Sequence, residues 1–251
     1  YFYTSLYIRA EASEKRPIAA LLAIFAAVVM FWAVFKQNGT ALTIWADNFT
    51  DRQVSGTTGD IFRGLKQAED ISYTKDTVNL YDAMFRLQKK DGQVIKTYDY
   101  PVYFKNISKE KLPADGDKAT LWSTPISQSI NPGWVILLTP LVVAFFSFLR
   151  RKNREPSTAT KIAFGLFISA LSVLVMVAAV HVSGNGAEKA SVWWLMGTYG
   201  VATVGELLLS PMGLSLVSKL SPVRLTSLMM GGWFLATSIG NKLSGILATM
   251  W

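Results

Sequence analysis

Apolar residues in this chain are gathered into runs long enough to cross a lipid bilayer, and lysine and arginine flank most of the runs. A spanning helix needs about 20 mostly apolar residues to cross roughly 30 Å of hydrocarbon. Such runs extend from Pro17 to about Trp45, Ser129 to Leu149, Thr158 to Val182, Val192 to Val217 and Val223 to Trp251. The pattern predicts an all-α membrane protein with five spans. Pro17 suits a first helical turn, where its missing N–H costs nothing. An odd count of spans points to a further helix downstream, and a first residue other than methionine to a chain that is part of a longer one.

The loop charges predict the topology. Arg150, Arg151, Lys152 and Arg154 follow the second run, Lys219 and Arg224 follow the fourth, and Arg9, Lys15 and Arg16 precede the first. If the spans alternate, all three groups lie on one side, while the opposite loop Ser183–Ser191 carries only Glu188 and Lys189. Basic loops face the cytoplasm. The formal charge of +8 therefore reads as membrane-flanking cations and not as a nucleic-acid footprint. With no cysteine there is neither a disulfide framework nor a thiolate metal site.

Residues 47–128 differ in character: they are polar and hold most of the acids. The expected layout is a cytoplasmic flank at 1–16, a span at 17–46, an extracytoplasmic insertion at 47–128 and the remaining spans at 129–251. Within the insertion, Tyr81–Gln88 and Val94–Phe104 are rich in aromatic and β-branched residues and flank Lys89-Lys90-Asp91-Gly92. Asp-Gly is a hairpin turn signal, so a β-hairpin is predicted there. Asn48-Phe49-Thr50 and Asn106-Ile107-Ser108 match the glycosylation sequon, a pattern common by chance.

Ionisable residues inside spans are costly and mark function by default. Glu206 lies mid-way along the fourth run, with Tyr199, Thr203 and Ser210 at helical spacing on one face. A polar stripe around a carboxylate suits a water-filled cavity wall, where the group can hold an ammonium or accept a proton; the plainer reading is a structural pair with another helix. Lys36 lies in the first run, with Trp32, Thr40 and Thr43 at helical spacing, and a cavity-lining role is favoured over snorkelling. In the last run Trp233, Thr237 and Asn241 share a face, Trp233 lining a cavity or packing. Asn131-Pro132 opens the second run, where the asparagine can offer an amide to a ligand. His181, the only histidine, sits at a span end and does not suggest a metal site.

Gly205-Glu206-Leu207-Leu208-Leu209-Ser210-Pro211-Met212-Gly213-Leu214-Ser215 resembles the tenth-helix signature of the proton-coupled oligopeptide transporters, a family of the major facilitator superfamily. Trp233-Phe234-Leu235-Ala236-Thr237 with Gly240-Asn241 resembles their eleventh helix, Phe31-Trp32-Ala33-Val34-Phe35 with Gln37 their seventh, and Gln128-Ser129-Ile130-Asn131-Pro132 their eighth. The resemblance implies a major facilitator fold seen from helix seven to helix eleven of twelve, in the C-terminal half, with a partly β extracytoplasmic insertion. It implies a symporter, not an enzyme, that imports di- and tripeptides with protons by alternating access and needs no cofactor beyond the proton gradient. Glu206 would hold the peptide amino terminus with help from Asn131. Trp32, Ser210, Trp233 and Phe234 would line side-chain pockets or gates. The setting would be the lipid bilayer of a bacterial inner membrane. Two features depart from the pattern. Lys36 stands where the family has an acid that pairs with a basic residue of the N-terminal half and contributes to gating or proton coupling, so Lys36 would share that role with Glu206 by pairing with an acid of that half, the ion pair swapping polarity. The insertion at 47–128 is absent from typical bacterial members. The alternatives are a major facilitator carrier of another anionic or zwitterionic solute, and a non-transporting membrane scaffold or receptor.

Overall fold

The computed structural model describes residues 2–8 and 10–250. Arg9 in the basic flank and Trp251 at the end of the last expected span lie outside the described residues. Eight α-helices are described: α1 (Phe2–Ile8), α2 (Lys15–Phe35), α3 (Ala41–Asn48), α4 (Gly56–Gly64), α5 (Ile130–Arg151), α6 (Thr158–Val182), α7 (Val192–Leu220) and α8 (Thr226–Ala248). Six short strands lie between α4 and α5: β1 (Ala68–Ser72), β2 (Asp76–Asn79), β3 (Lys89–Lys90), β4 (Gln93–Val94), β5 (Lys96–Asp99) and β6 (Lys118–Trp122).

Four helical segments among the described residues are long and apolar enough to cross a membrane: Lys15–Asn48, Thr124–Arg151, Thr158–Val182 and Val192–Leu220. The fifth expected span does form a helix, α8, but it is less apolar, because Thr226, Ser227, Thr237, Ser238, Asn241, Lys242 and Ser244 interrupt it. The first expected span is not one continuous helix. α2 stops at Phe35, a 3-10 turn covers Lys36–Gly39, and α3 begins at Ala41. Asn38-Gly39 disfavours helix, and Thr40 takes φ −128°, ψ −91°. The break is re-satisfied by side chains, as a break within a span requires. Gln37 Nε2 donates to the Ala33 carbonyl in the last turn of α2 at 3.3 Å, and Tyr199 Oη donates to the Asn38 carbonyl at 3.0 Å; Gln37 Nε2 also reaches the Ser244 carbonyl at 3.2 Å and hydroxyl at 3.1 Å, which seats the break against α8.

The described residues form two compact units. The first contains Tyr1–Thr40, Asn131–Val173 and Tyr199–Met250. Its core joins Ile18, Leu21, Phe25 and Val28 of α2 to Leu209 and Val217 of α7 and to Met229 and Trp233 of α8. In lipid there is little hydrophobic drive between helices, so close packing has to hold them. Glycines supply it at two α2–α8 contacts. A Cβ on Gly232 would lie 2.9 Å from the Phe25 ring, and one on Gly240 would lie 2.6 Å from Trp32 Cβ and 2.7 Å from the Val29 carbonyl. At the basic end of this unit Arg224 pairs with Glu14 and Glu11, tying the α7–α8 connection to the N-terminal flank. Glu155 joins Arg150 at 2.6 Å to Lys161 at 2.5 Å, and these two cations hold its carboxyl down at about 2.

The second unit contains Ala41–Ile130 and Leu174–Thr198. It takes in more than the 47–128 segment. β1 pairs antiparallel with β6 from Ala68↔Trp122 to Ser72↔Lys118, and β2 with β5 from Asp76↔Asp99 to Asn79↔Lys96. β3 and β4 close on Asp91-Gly92, both at positive φ (53° and 80°), the conformation a two-residue hairpin turn demands. The flanking expectations need correction. Tyr81–Gln88 is a turn and not a strand: Asp82 Oδ1 accepts from the Met84 and Arg86 amides, and Phe85 sits at φ 57°. The second expected strand is split into β4 and β5, and after Pro101 the chain turns into a 3-10 helix at Val102–Asn106. That turn buries Tyr103 and Phe104 against Ala119 and Leu121.

Arg52 is the polar anchor of this unit. Its buried guanidinium donates to the Trp122 carbonyl at 2.8 Å and to Asp47 at 2.9 Å, between the rings of Tyr103 and Trp122. The planar, weakly hydrated head of arginine suits such a site. The loop after α6 docks beside it. Lys189 Nζ donates to the Asn48 carbonyl at 2.8 Å and lies 4.3 Å from the Tyr103 ring centroid. Asn106 Nδ2 donates to the carbonyls of Asn48 (3.1 Å) and Gly186 (3.3 Å). The second sequon asparagine is therefore a buried structural donor. Gly186, at φ +88°, admits no side chain, because a Cβ there would stand 2.7 Å from the Phe49 ring.

Burial, reinforced by the nearby Arg52 charge and only partly offset by Asp47 and Asp51, pulls the Lys189 ammonium down to about 7 from its ordinary 10.5. Between those values the unfolded chain holds a proton that the folded chain has released, so stability rises with pH across about 7 to 10.5. Below about 7 both states are protonated and the full cost of burying the charge persists. Lys189→Met is expected to flatten this slope. Thermal midpoints measured across that window check it, and a slope equal to wild type rejects the assignment.

Candidate functional site

α7 carries Glu206 near its middle, in the first unit. Its helical turn brings Thr203 to the same side, and the first turn of α5 brings Asn131 to both. Asn131 Nδ2 donates to Thr203 Oγ1 at 2.9 Å and to Glu206 Oε2 at 3.2 Å. Thr203 Oγ1 donates in turn to the Tyr199 carbonyl at 2.7 Å, which fixes its lone pairs toward the asparagine. The result is a half-buried carboxylate oriented by one amide through Oε2. Such a group is an acceptor for a cation or a proton.

Lys36 is exposed in the 3-10 turn after α2, its Nζ 5.3 Å from the Trp32 ring centroid. Among the described residues it makes no ion pair. The break at Thr40 removes the helical face on which Lys36 was expected to share a stripe with Thr40 and Thr43. Trp32 is half-buried, and its indole Nε1 and the Ser210 hydroxyl are buried without a hydrogen-bond partner in the structure. Unmatched polar atoms are uncommon in native proteins and mark positions where a ligand or water can complete the pattern.

The α8 candidates divide. Trp233 is 3% exposed and packs edge-on against Phe25, with its ring over Gly213, so its side chain belongs to the core. Phe234, one residue on, is 61% exposed, and Asn241 is exposed as well. His181 is exposed in the last turn of α6, and no cluster that could hold a metal occurs among the described residues. Sequence reasoning missed the bond from Gln37 to Ser244 that seats the α2 break. Its partners are 207 residues apart, and no local pattern announces it.

A model of the POT family (PTR2) matches residues 123–251, just over half of the chain. Dipeptide and tripeptide permease A of Proteus mirabilis is 37% identical over 123 residues, covering 49% of this chain and 24% of the permease. Peptide transporter YePEPT of Yersinia enterocolitica is 25% identical over 248 residues, covering 98% of this chain and 36% of that protein. The chain thus spans about a quarter to about a third of the curated relatives it matches. Among solved structures, a peptide transporter POT in complex with sulfate matches at TM-score 0.65 and 24% identity, over 100% of this chain and 38% of that one. A POT family transporter in complex with 5-aminolevulinic acid matches at TM-score 0.63 and 21% identity, over 99% of this chain and 39% of that one. The chain belongs to the POT family, whose members are integral membrane transporters and not enzymes.

Proposed function

We propose that the chain forms the substrate-holding part of a proton-coupled symporter that imports di- and tripeptides by alternating access. In this reading Glu206 binds the peptide amino terminus and Asn131 orients it. The observation that carries the reading is the Asn131–Glu206–Thr203 constellation, a carboxylate aimed by a single amide in the middle of a spanning helix. A carboxylate in that setting distinguishes an ammonium from a neutral group far more sharply than it does in water, because the local dielectric is low. The unmatched Trp32 and Ser210 atoms supply further polar contacts for the peptide, and exposed Phe234 an apolar one. Trp233 supports the site by packing. Lys36 acts as a nearby counter-cation of Glu206, which the entering ammonium displaces. Relatives named as peptide permeases and transporters in Proteus and Yersinia support both the substrate class and a bacterial inner membrane. The basic ends would then face the cytoplasm and the 47–128 insertion the outside.

The test is uptake of a labelled dipeptide into proteoliposomes containing the full-length protein under an inward proton gradient. The expected result is accumulation that collapses with the gradient and is competed by unlabelled di- and tripeptides. Gradient-driven flux of another zwitterion that dipeptides do not compete would reassign the solute. No flux of either kind would point to a non-transporting role.

A further inference from the structure

The second unit holds a cavity of about 450 Å³ that the transport reading does not use. Its walls are Phe62 of α4, Trp122 at the end of β6, Ile126 beyond it, and Val192, Trp193 and Met196 of α7. Its size lies within the range of small-ligand pockets, and its walls are largely apolar, as theirs are. Gln53 is among the residues that line it, and its buried side-chain amide Nε2 has no hydrogen-bond partner in the structure. The acid at its rim, Asp51, is already engaged by Lys111 at 2.9 Å and by the Tyr103 hydroxyl at 3.3 Å.

Position decides what can fill it. Ile130, the first residue of α5, and Val192, the first of α7, both line the cavity, and both helices are of membrane-crossing length and hydropathy. The cavity therefore opens where spans emerge from the hydrocarbon, the level at which tryptophan gathers. Trp193 is 74% exposed there. Beside it, α4 turns Phe62 into the cavity and leaves Ile61, 57% exposed, above Leu65, which caps the helix four residues on and is 62% exposed. Exposed Lys66 follows directly after Leu65. A short helix with an apolar stripe and a cation at its end has the form of a segment lying in the headgroup region.

We propose that this cavity is a phospholipid site. It takes an acyl chain from the leaflet that borders the insertion, with the Gln53 amide donating to a lipid oxygen and with Ile61, Leu65 and Trp193 seated in the same leaflet. The insertion is then anchored to the bilayer surface by its own apolar edge as well as by its chain connections. This inference needs the spans to cross a membrane and does not depend on what is transported.

This chain has no cysteine, so once any cysteine elsewhere in the full-length protein is replaced by serine a single label reports one position. The full-length Leu65→Cys protein, labelled with bimane, is reconstituted in phosphatidylcholine vesicles with and without brominated acyl chains. The expected result is quenching by the brominated chains and protection from aqueous iodide, while Lys90→Cys at the β3–β4 hairpin shows the reverse. A second arm fills the cavity with Thr58→Trp. Native mass spectrometry of protein supplied with phosphatidylcholine is expected to show one bound phospholipid fewer than wild type, at an unchanged thermal midpoint. Quenching of the Leu65 label by iodide overturns the proposal. So does its protection from both quenchers, which would mean that protein covers this face. A wild-type lipid count in folded Thr58→Trp also overturns it.

Discussion

Glu206→Gln is expected to reduce uptake of unmodified dipeptides by about 30-fold to several thousand-fold. Losing one member of a desolvated, hydrogen-bonded charge pair costs about 2–5 kcal/mol, and each 1.4 kcal/mol is about a factor of ten. The substitution keeps the shape and removes two things. The peptide ammonium loses its anionic partner, and Asn131 Nδ2, now 3.2 Å from Glu206 Oε2, is left with a single neutral amide oxygen as its acceptor at this residue. An amino-terminally acetylated dipeptide has no ammonium to lose, so wild type and Glu206→Gln should transport it equally poorly. Lys36→Met sharpens the test. Removing the competing cation should lower the dipeptide KM in wild type and leave the Glu206→Gln background unchanged. Full dipeptide uptake by Glu206→Gln would remove the carboxylate from the peptide site. An equal Lys36→Met effect in both backgrounds would dissociate that lysine from it.

The second large effect concerns the residue just before the carboxylate. α6 and α7 cross at Gly165 and Gly205 so closely that their backbones touch. A Cβ on Gly205 would overlap the Ser169 hydroxyl and lie 2.8 Å from the Gly165 carbonyl, and one on Gly165 would lie 2.9 Å from the Gly205 carbonyl. Backbone cannot step aside as a flexible side chain can, and the Ser169 hydroxyl is itself held by a 2.8 Å bond to Gly165. Gly205→Ala is therefore expected to cost about 1–3 kcal/mol or more through overpacking. It should also separate the helices beside Glu206. Gly231→Ala makes the same chemical change in open space on α8 and should stay within about 0.5 kcal/mol. Thermal midpoints in detergent and dipeptide uptake read both variants. A Gly205→Ala protein as stable and active as Gly231→Ala would show that the crossing tolerates a methyl group.

Much of the helical frame was legible because its cause is local. α6 runs over the residues the hydropathy marked, Thr158–Val182, and α5 and α7 begin within a residue of their expected starts. About 20 apolar residues in a row can satisfy their backbone in lipid only as a helix, whatever lies around them. Glu206 stood out for the same reason, since a carboxylate inside such a run is costly. The Asp91-Gly92 turn was visible because its two residues accept positive φ. The break after Phe35 was not visible, because a uniform apolar run masks an Asn-Gly whose exposed polar groups are met from elsewhere. Tyr199 is 161 residues from the carbonyl it binds, and Ser244 is 207 from Gln37.

By itself the sequence determined that this is a helical membrane protein, where most of its helices run, which ends are basic, and that a polar carboxylate-bearing face lies on α7. Only the tertiary structure decided that Asn131 donates to Glu206 across 75 residues, that Trp233 packs while Phe234 is exposed, and that Lys189 and a sequon asparagine together dock the α6–α7 loop onto Asn48. The division has a physical origin. Hydropathy and charge act on a segment through its solvent and can be read one residue at a time. The choice of partner is made by packing, which brings together residues that the sequence keeps far apart.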